Sequence, residues 1–272
     1  MSSDTLILVG CGKMGGAMLR GWLDRGMDPG RVRVVEPNPE AARYFTDKPS
    51  LAFHAEAADA LSDTVPEAVV FAVKPQQMDA VAPAYRATAQ AGAVALSIAA
   101  GRTIDSFVRH LGPDAAIVRA MPNTPAAVGR GITVACPNAA VSGGQRALCD
   151  GLLSAVGEVA WIADESLMDA VTAVSGSGPA YVFHVVECLA AAGKKAGLPA
   201  ALSMQLARAT VAGSGELMRC SPEDAATLRQ NVTSPGGTTE AALKVLMADD
   251  GMRPLFDRAV AAATARSREL AG

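Results

Sequence analysis

Short β-branched runs alternate with amphipathic stretches from Thr5 to about Asp164, and beyond that point the strand-like runs stop. Residues 5–9, 31–36, 68–73, 93–98, 115–119, 132–135 and 158–162 read as strands. Residues 14–25, 39–45, 75–88, 103–111 and 143–155 read as the helices between them. This alternation predicts βαβ units wound into one open, parallel sheet. Ser142 stands where it would cap the last of these helices.

After Asp164 the pattern is almost wholly helical, over residues 166–172, 179–196, 199–219, 222–230, 238–248 and 253–270. Prolines lie at or near the start of four of these, and Gly193 and Gly197 lie around the end of 179–196, as expected from what each end of a helix tolerates. Two domains follow, 1–164 and 165–272, with no low-complexity linker and no internal repeat. Ala190, Ala191, Ala192, Ala207, Ala209 and Ala212 offer small faces for close helix packing. So much apolar helix in so short a stretch points to contact between subunits, and a homo-oligomer is expected.

With 272 residues, 50% of them hydrophobic and 19% charged, the chain can bury a sizeable core. A net charge of −3 and only 4% aromatic residues provide neither a basic surface nor a stacking platform, which argues against a nucleic-acid partner. Cys11, Cys136, Cys149, Cys188 and Cys220 are scattered and never spaced as Cys-x-x-Cys, so reduced thiols are expected, with no disulfide framework and no metal site. Residues 170–193 are long enough to span a bilayer but contain Gly176, Gly178, Pro179, His184 and Glu187; they read as a buried soluble helix, with no membrane partner. Without a basic, apolar leader at Met1 the chain is read as cytoplasmic.

The first strand runs into Gly10, Gly12 and Gly15 in G-x-G-x-x-G spacing, and a helix begins at Met14. In a Rossmann-type domain Gly10 turns the chain, Gly12 lets backbone amides approach a pyrophosphate, and Gly15 lets helix and sheet close together. The turn, with Lys13 and Met14, is therefore assigned to a dinucleotide. Glu36, about 20 residues on at the end of the second strand, is the acid expected to meet the adenosine ribose and repel a 2′-phosphate, favouring NADH over NADPH. No arginine follows it at once, and Asn38 suits either cofactor. The βα turn Ala72-Val73-Lys74-Pro75-Gln76 lies at a strand's carboxyl end, where ligands of such sheets bind, with Lys74 placed for ribose or phosphate. The next turn, with Ala99 and Ala100, is small enough to admit a nicotinamide ring, although packing alone explains its composition equally well.

Three further segments are too polar and too rich in glycine and proline to be core: residues 121–125, 175–179 and 233–239. The last two lead into helices, where amides, hydroxyls and positive dipole ends suit an anion such as a substrate carboxylate. Simple helix capping is the alternative for each.

Through the glycine turn, residues 72–76, 97–101, 119–125, 174–181 and above all Val232-Thr233-Ser234-Pro235-Gly236-Gly237-Thr238-Thr239, the chain resembles pyrroline-5-carboxylate reductases almost end to end. The resemblance implies reduction of 1-pyrroline-5-carboxylate, a small-molecule substrate, to L-proline with NADPH or NADH, the last step of proline biosynthesis. It also implies a C-terminal domain that dimerises by interlocking, giving a homodimer or a decamer of dimers. Ser177, Ser234, Gly236, Gly237 and Thr238 are then expected at the substrate carboxylate, Thr239 at the imine nitrogen as the catalytic group, Asn231 orienting the loop, and Asn123 near nicotinamide or substrate. The family commonly carries a small polar residue near the position of Glu36 and prefers NADPH, and this chain departs from it there.

The chemistry fits independently. Reducing a ketone calls for a proton donor, yet His54, His110 and His184 all lie outside the glycine-rich motifs. A protonated cyclic imine is already electrophilic, and positioning alone can contribute ~7 to 11 kcal/mol. Two other readings are weaker. A β-hydroxyacid dehydrogenase would carry its lysine where this chain has Val182 or Val186, and a nucleotide-sensing regulator would need no anion site beside nicotinamide.

Overall fold

The computed structural model describes residues 4–271. Eight strands form one sheet: β1 (Leu6–Val9), β2 (Val32–Val35), β3 (Ala52–His54), β4 (Ala68–Phe71), β5 (Val94–Ser97), β6 (Ile117–Met121), β7 (Gly131–Pro137) and β8 (Gly157–Trp161), in the order β3-β2-β1-β4-β5-β6-β7-β8. Helices α1 (Lys13–Asp24), α2 (Ala57–Ala60), α3 (Met78–Val81), α4 (Arg86–Gln90), α5 (Ile104–Leu111) and α6 (Gly143–Ser154) connect them. The β1 residues alternate between the two faces. Leu6 and Leu8 join one core with Met18, Leu19 and Trp22 of α1, and Ile7 and Val9 join the other with Phe107 and Leu111 of α5. Burial on both faces explains why the strand reads as an unbroken apolar run.

The expectation of an all-parallel sheet fails at one place, since β7 runs antiparallel to β6. The link between Met121 and Gly131 is shorter than the dozen or so residues a parallel crossover takes, so the chain turns back on itself. The long helix expected over residues 75–88 is also broken. Two short 3₁₀ turns, Pro75–Gln77 and Ala82–Tyr85, alternate with α3 and α4, and Pro83 accounts for the second interruption because a proline cannot continue the hydrogen-bond ladder. Residues 39–45 form a 3₁₀ helix rather than an α-helix. β3 and α2, of three and four residues, are additional to the sequence reading.

The remaining helices are α7 (Met168–Val171), a π-helical turn Thr172–Gly176, α8 (Gly178–Lys195), α9 (Ala200–Cys220), α10 (Ala225–Asn231), α11 (Thr238–Leu246) and α12 (Met252–Ala271). The described residues divide into two compact units, one of residues 4–176 with 264–271 and one of 177–263, so the end of α12 belongs with the first unit. There the Ser267 hydroxyl donates to Asp169 at 2.7 Å. In the second unit α8 and α9 meet through small residues. Ala190, Ser203 and Ala207 are buried, the Ser203 hydroxyl donates to the Ala190 carbonyl at 2.6 Å, and a side chain at Gly193 would run into Ser203. Ala191, Ala192, Ala209 and Ala212 stay exposed, so only part of the expected alanine face is used within the subunit. The expected burial of 170–193 also fails within one chain, because Val182, Phe183 and Leu189 of α8 face outward. No described helix is long and apolar enough to cross a membrane.

Candidate functional site

The glycine turn is built by three different constraints. Gly10 has φ of +90°, and a Cβ there would lie 2.9 to 3.0 Å from Val73 and Ala72, so the turn closes against the Ala72–Val73 segment. A Cβ on Gly15 would run into the Gly10 carbonyl. At Gly12 nothing lies within 4 Å, and the space in front of the backbone is open. Gly12 is also the N-cap of α1 and offers no side-chain cap, while the first turn of the helix carries no acidic residue. The leading amides of α1 therefore have neither a hydrogen-bond partner nor a carboxylate of their own, which is what a bound pyrophosphate requires. Lys13 beside them is exposed, whereas Met14 packs partly against the core.

Glu36 is held at the edge of this turn. One carboxylate oxygen accepts from the Cys11 amide at 2.9 Å, and the other accepts from the Asn38 amide at 3.0 Å. The Asn38 side chain caps the following 3₁₀ helix by accepting from Glu40. Burial, with the Glu36 charge adding to it, pushes the Cys11 thiol up to about 11, so it stays protonated beside the carboxylate at neutral pH.

The two neighbouring βα turns lie at the carboxyl ends of β4 and β5. Lys74 is exposed, Ala99 buried, Ala100 exposed, and Gly101 turns the chain with φ of +72°. Arg102 joins the two turns, its Nε donating to the Pro75 carbonyl at 2.8 Å and its Nη atoms forking onto Asp79 at 2.9 and 2.8 Å. His110 reaches the same carboxylate at 2.9 Å. Arg102, with His110 assisting, holds the Asp79 carboxyl at about 2.

Asn123, at the end of β6, is committed on both sides. Its carbonyl oxygen accepts from Ile132 at 2.9 Å and its amide donates to Ser175 at 3.3 Å. Below it in β6 lies Arg119, with 7% of its side chain exposed, whose Nη1 donates to Glu165 at 2.7 Å. The same carboxylate oxygen takes the Ile104 amide at 2.9 Å. This pair of a buried arginine and a half-buried acid was not singled out from sequence, although an arginine within an apolar strand calls for a carboxylate partner.

The segment around Ser177 is not the loop that its glycines imply. Residues 172–176 form a π-helical turn leading directly to α8, and Ser177 has helical dihedrals with no capping bond. Gly176 is small because a side chain there would meet Met121, so its reason is packing. A π-turn of this kind is frequent at functional sites.

In the second unit, residues 233–237 form a true loop ahead of α11. Gly236 adopts φ of +71°, its amide donates to the Glu240 carboxylate at 2.7 Å, and the Gly237 amide donates to the Ser234 carbonyl at 3.0 Å. Both glycine amides are thus used inside the loop, and no side-chain cap answers the leading amides of α11, those of Thr238 and Thr239. Asn231 donates to Glu223 at 3.1 Å, and the Thr233 hydroxyl to the Arg229 carbonyl at 2.6 Å, so α10 fixes the start of the loop. A groove of about 860 Å³ in the same unit, lined by Tyr181, Val185, Leu189, Leu255 and Phe256, is almost wholly apolar and offers no anion site. His184 at its rim pairs with Glu187 at 2.9 Å. No group of three or more potential metal ligands is found among the described residues.

Residues 5–101 match the model of the NADP oxidoreductase, coenzyme F420-dependent family, and residues 165–270 match that of the pyrroline-5-carboxylate reductase dimerisation domain, an oligomer-forming unit. A pyrroline-5-carboxylate reductase from Pseudomonas aeruginosa is 38% identical over 100% of this chain and 98% of its own. The solved reductase from Coxiella burnetii superposes with a TM-score of 0.92 at 33% identity, covering 98% of each chain. The pyrroline carboxylate reductase from Plasmodium falciparum, solved with NADP bound, gives 0.81 at 29% identity and covers 100% of each. With 38% identity to such a reductase along its entire length and the same fold as another, this chain belongs to the pyrroline-5-carboxylate reductase family.

Proposed function

We propose that the chain reduces 1-pyrroline-5-carboxylate to L-proline with NADPH or NADH, as the final step of proline biosynthesis. The observation that carries this reading is the pairing, in one chain matched end to end by such reductases, of an uncapped glycine turn with a loop that leaves the first amides of α11 free.

In this reading the amides of Lys13 to Gly15 hold the pyrophosphate at the N-terminus of α1. Glu36 and Asn38 meet the adenosine ribose, Lys74 a ribose or phosphate, and Ala72, Val73, Pro75, Ala99, Ala100 and Asn123 shape the remainder of the site. When bound, the nicotinamide supplies the hydride that the imine carbon accepts. The substrate carboxylate is held by the amides of Thr238 and Thr239 with the hydroxyls of Ser177 and Ser234, while Gly236 and Gly237 shape the loop and Asn231 anchors it. The Thr239 hydroxyl accepts from the protonated ring nitrogen and keeps the ring oriented. Because that nitrogen already carries its proton and finishes as an amine, no strong general acid is needed.

The apolar groove and the outward-facing residues of α8 are covered by a second copy in a homodimer, and dimers assemble further into a decamer. The chain works in the cytoplasm.

The test is a steady-state assay of purified protein with 1-pyrroline-5-carboxylate and each cofactor, with proline measured by chromatography. Proline formed in step with cofactor oxidation is expected. Absence of turnover with both cofactors would refute the reading.

A further inference from the structure

We infer that Arg102 is a positioning residue for the dinucleotide, clamping the turn after β4 to the turn after β5 so that both present a fixed surface to the cofactor; this rests on the dinucleotide-binding role proposed above. The two turns follow adjacent parallel strands, whose last shared backbone bond is Ile98 to the Phe71 carbonyl at 3.1 Å. Beyond it the backbones diverge into separate helices, and Arg102 carries the link. It stands directly after Gly101, whose positive φ releases the chain from the β5 turn. Its Nε donates to the Pro75 carbonyl at 2.8 Å, in the middle of the Lys74–Gln76 turn. Its two Nη atoms grip Asp79 in the bidentate form that fixes a guanidinium in orientation as well as position. Asp79 in turn is braced by His110 from the C-terminal turn of α5, so acid, arginine and histidine close a ring through α3, α5 and both turns.

Each part of this arrangement has a separate purpose. The Pro75 carbonyl also takes the Met78 amide that opens α3, so the arginine adds a second donor to an oxygen already placed by its own turn. Lys74, beside Pro75, and Ala100, two residues before Arg102, are both exposed on the turns so linked. A lysine in place of Arg102 could satisfy Asp79 or Pro75 as a point donor, and its geometry does not span both.

The experiment compares wild type with Arg102→Gln, Arg102→Lys and Asp79→Asn. Cofactor dissociation constants come from fluorescence titration of the enzyme alone, and kcat and both KM values come from steady-state assays. Arg102→Gln is expected to weaken NADPH and NADH binding about tenfold, through lost preorganisation of the two turns and not through a lost cofactor contact, while kcat and the KM for 1-pyrroline-5-carboxylate stay within about twofold. Asp79→Asn, which keeps the Pro75 bond, is expected to fall between wild type and Arg102→Gln, and Arg102→Lys to recover only part of the loss. Unchanged cofactor binding in Arg102→Gln would overturn the inference. So would a parallel loss of kcat, substrate KM and cofactor affinity with a lowered melting temperature, which marks general loosening of the fold. Wild-type protein that binds cofactor but fails to turn over the imine leaves the titrations as the deciding measurement and removes only the substrate assignment. Protein that binds neither cofactor overturns both.

Discussion

Removing the carboxylate of Glu165 should destabilise the first unit far more than removing the charge of Arg119. The two side chains differ in exposure, 7% for Arg119 and 28% for Glu165, so their fates on losing a partner differ. In Glu165→Ala the guanidinium is left inside the protein with its Nη1 donor unanswered, and the Ile104 amide loses its acceptor as well. Breaking a buried pair in this way costs ~3 to 5 kcal/mol. In Arg119→Met the side chain is exchanged for an apolar one of comparable length, and Glu165 still accepts from Ile104 and can hydrate through its exposed edge. That exchange is expected to cost about 1 kcal/mol or less, since apolar replacements of buried ions are often neutral. For a unit of this size each kcal/mol moves the melting temperature by roughly 2 to 4 °C, so the two variants should separate by about 5 °C or more. Thermal unfolding followed by circular dichroism, at one fixed subunit concentration because self-association shifts apparent stability, reads the difference directly. An Arg119→Met variant as unstable as Glu165→Ala, or more so, would refute the reasoning. It would mean that the arginine's packing or its charge outweighs the burial asymmetry.

Three other outcomes are expected. Glu36→Ser should shift the ratio of kcat/KM values toward NADPH while weakening NADH more, because the carboxylate both repels a 2′-phosphate and fixes the Cys11 amide; an unchanged ratio would show that Glu36 does not read the ribose. Thr239→Val should lower kcat by roughly tenfold or more with cofactor dissociation constants unchanged in titration, as expected for loss of one hydrogen bond to a charged group. Burial raises the Cys11 thiol to about 11 and Cys149 to about 12, above the ordinary 9.0, so stability contributed by their protonated forms is full below pH 9 and declines as pH rises toward 11 to 12; urea midpoints measured across that range should fall.

What the sequence made legible follows how local the cause is. The glycine turn could be read because backbone geometry forces glycine at Gly10 and Gly15 within six residues of one another. Most strands could be read because burial on both faces leaves an apolar run. β3 and α2 escaped because three or four residues carry too little periodicity, and the reversal at β7 depended on the length of a link, not on the strand's composition. The same limit explains the site. Arg102 meets Pro75 and Asp79 across 27 and 23 residues, joined only because β4 and β5 lie side by side. The helical form of residues 172–176 was not legible because glycine marks a loop in sequence and close approach in space, and at Gly176 the second cause operates.

The return of α12 to the first unit has a consequence for how the protein is made. Residues 1–176 leave the ribosome well before residues 264–271, yet Ser267 is among the groups that complete their packing on Asp169. Until then Asp169 and the surface of α7 around it lack this covering. Folding that pairs such distant segments is slow and leaves apolar surface open in the interval. A stop codon that removes only the last turns of α12 would then harm the yield of soluble protein more than the chemistry of any molecule that succeeded in folding.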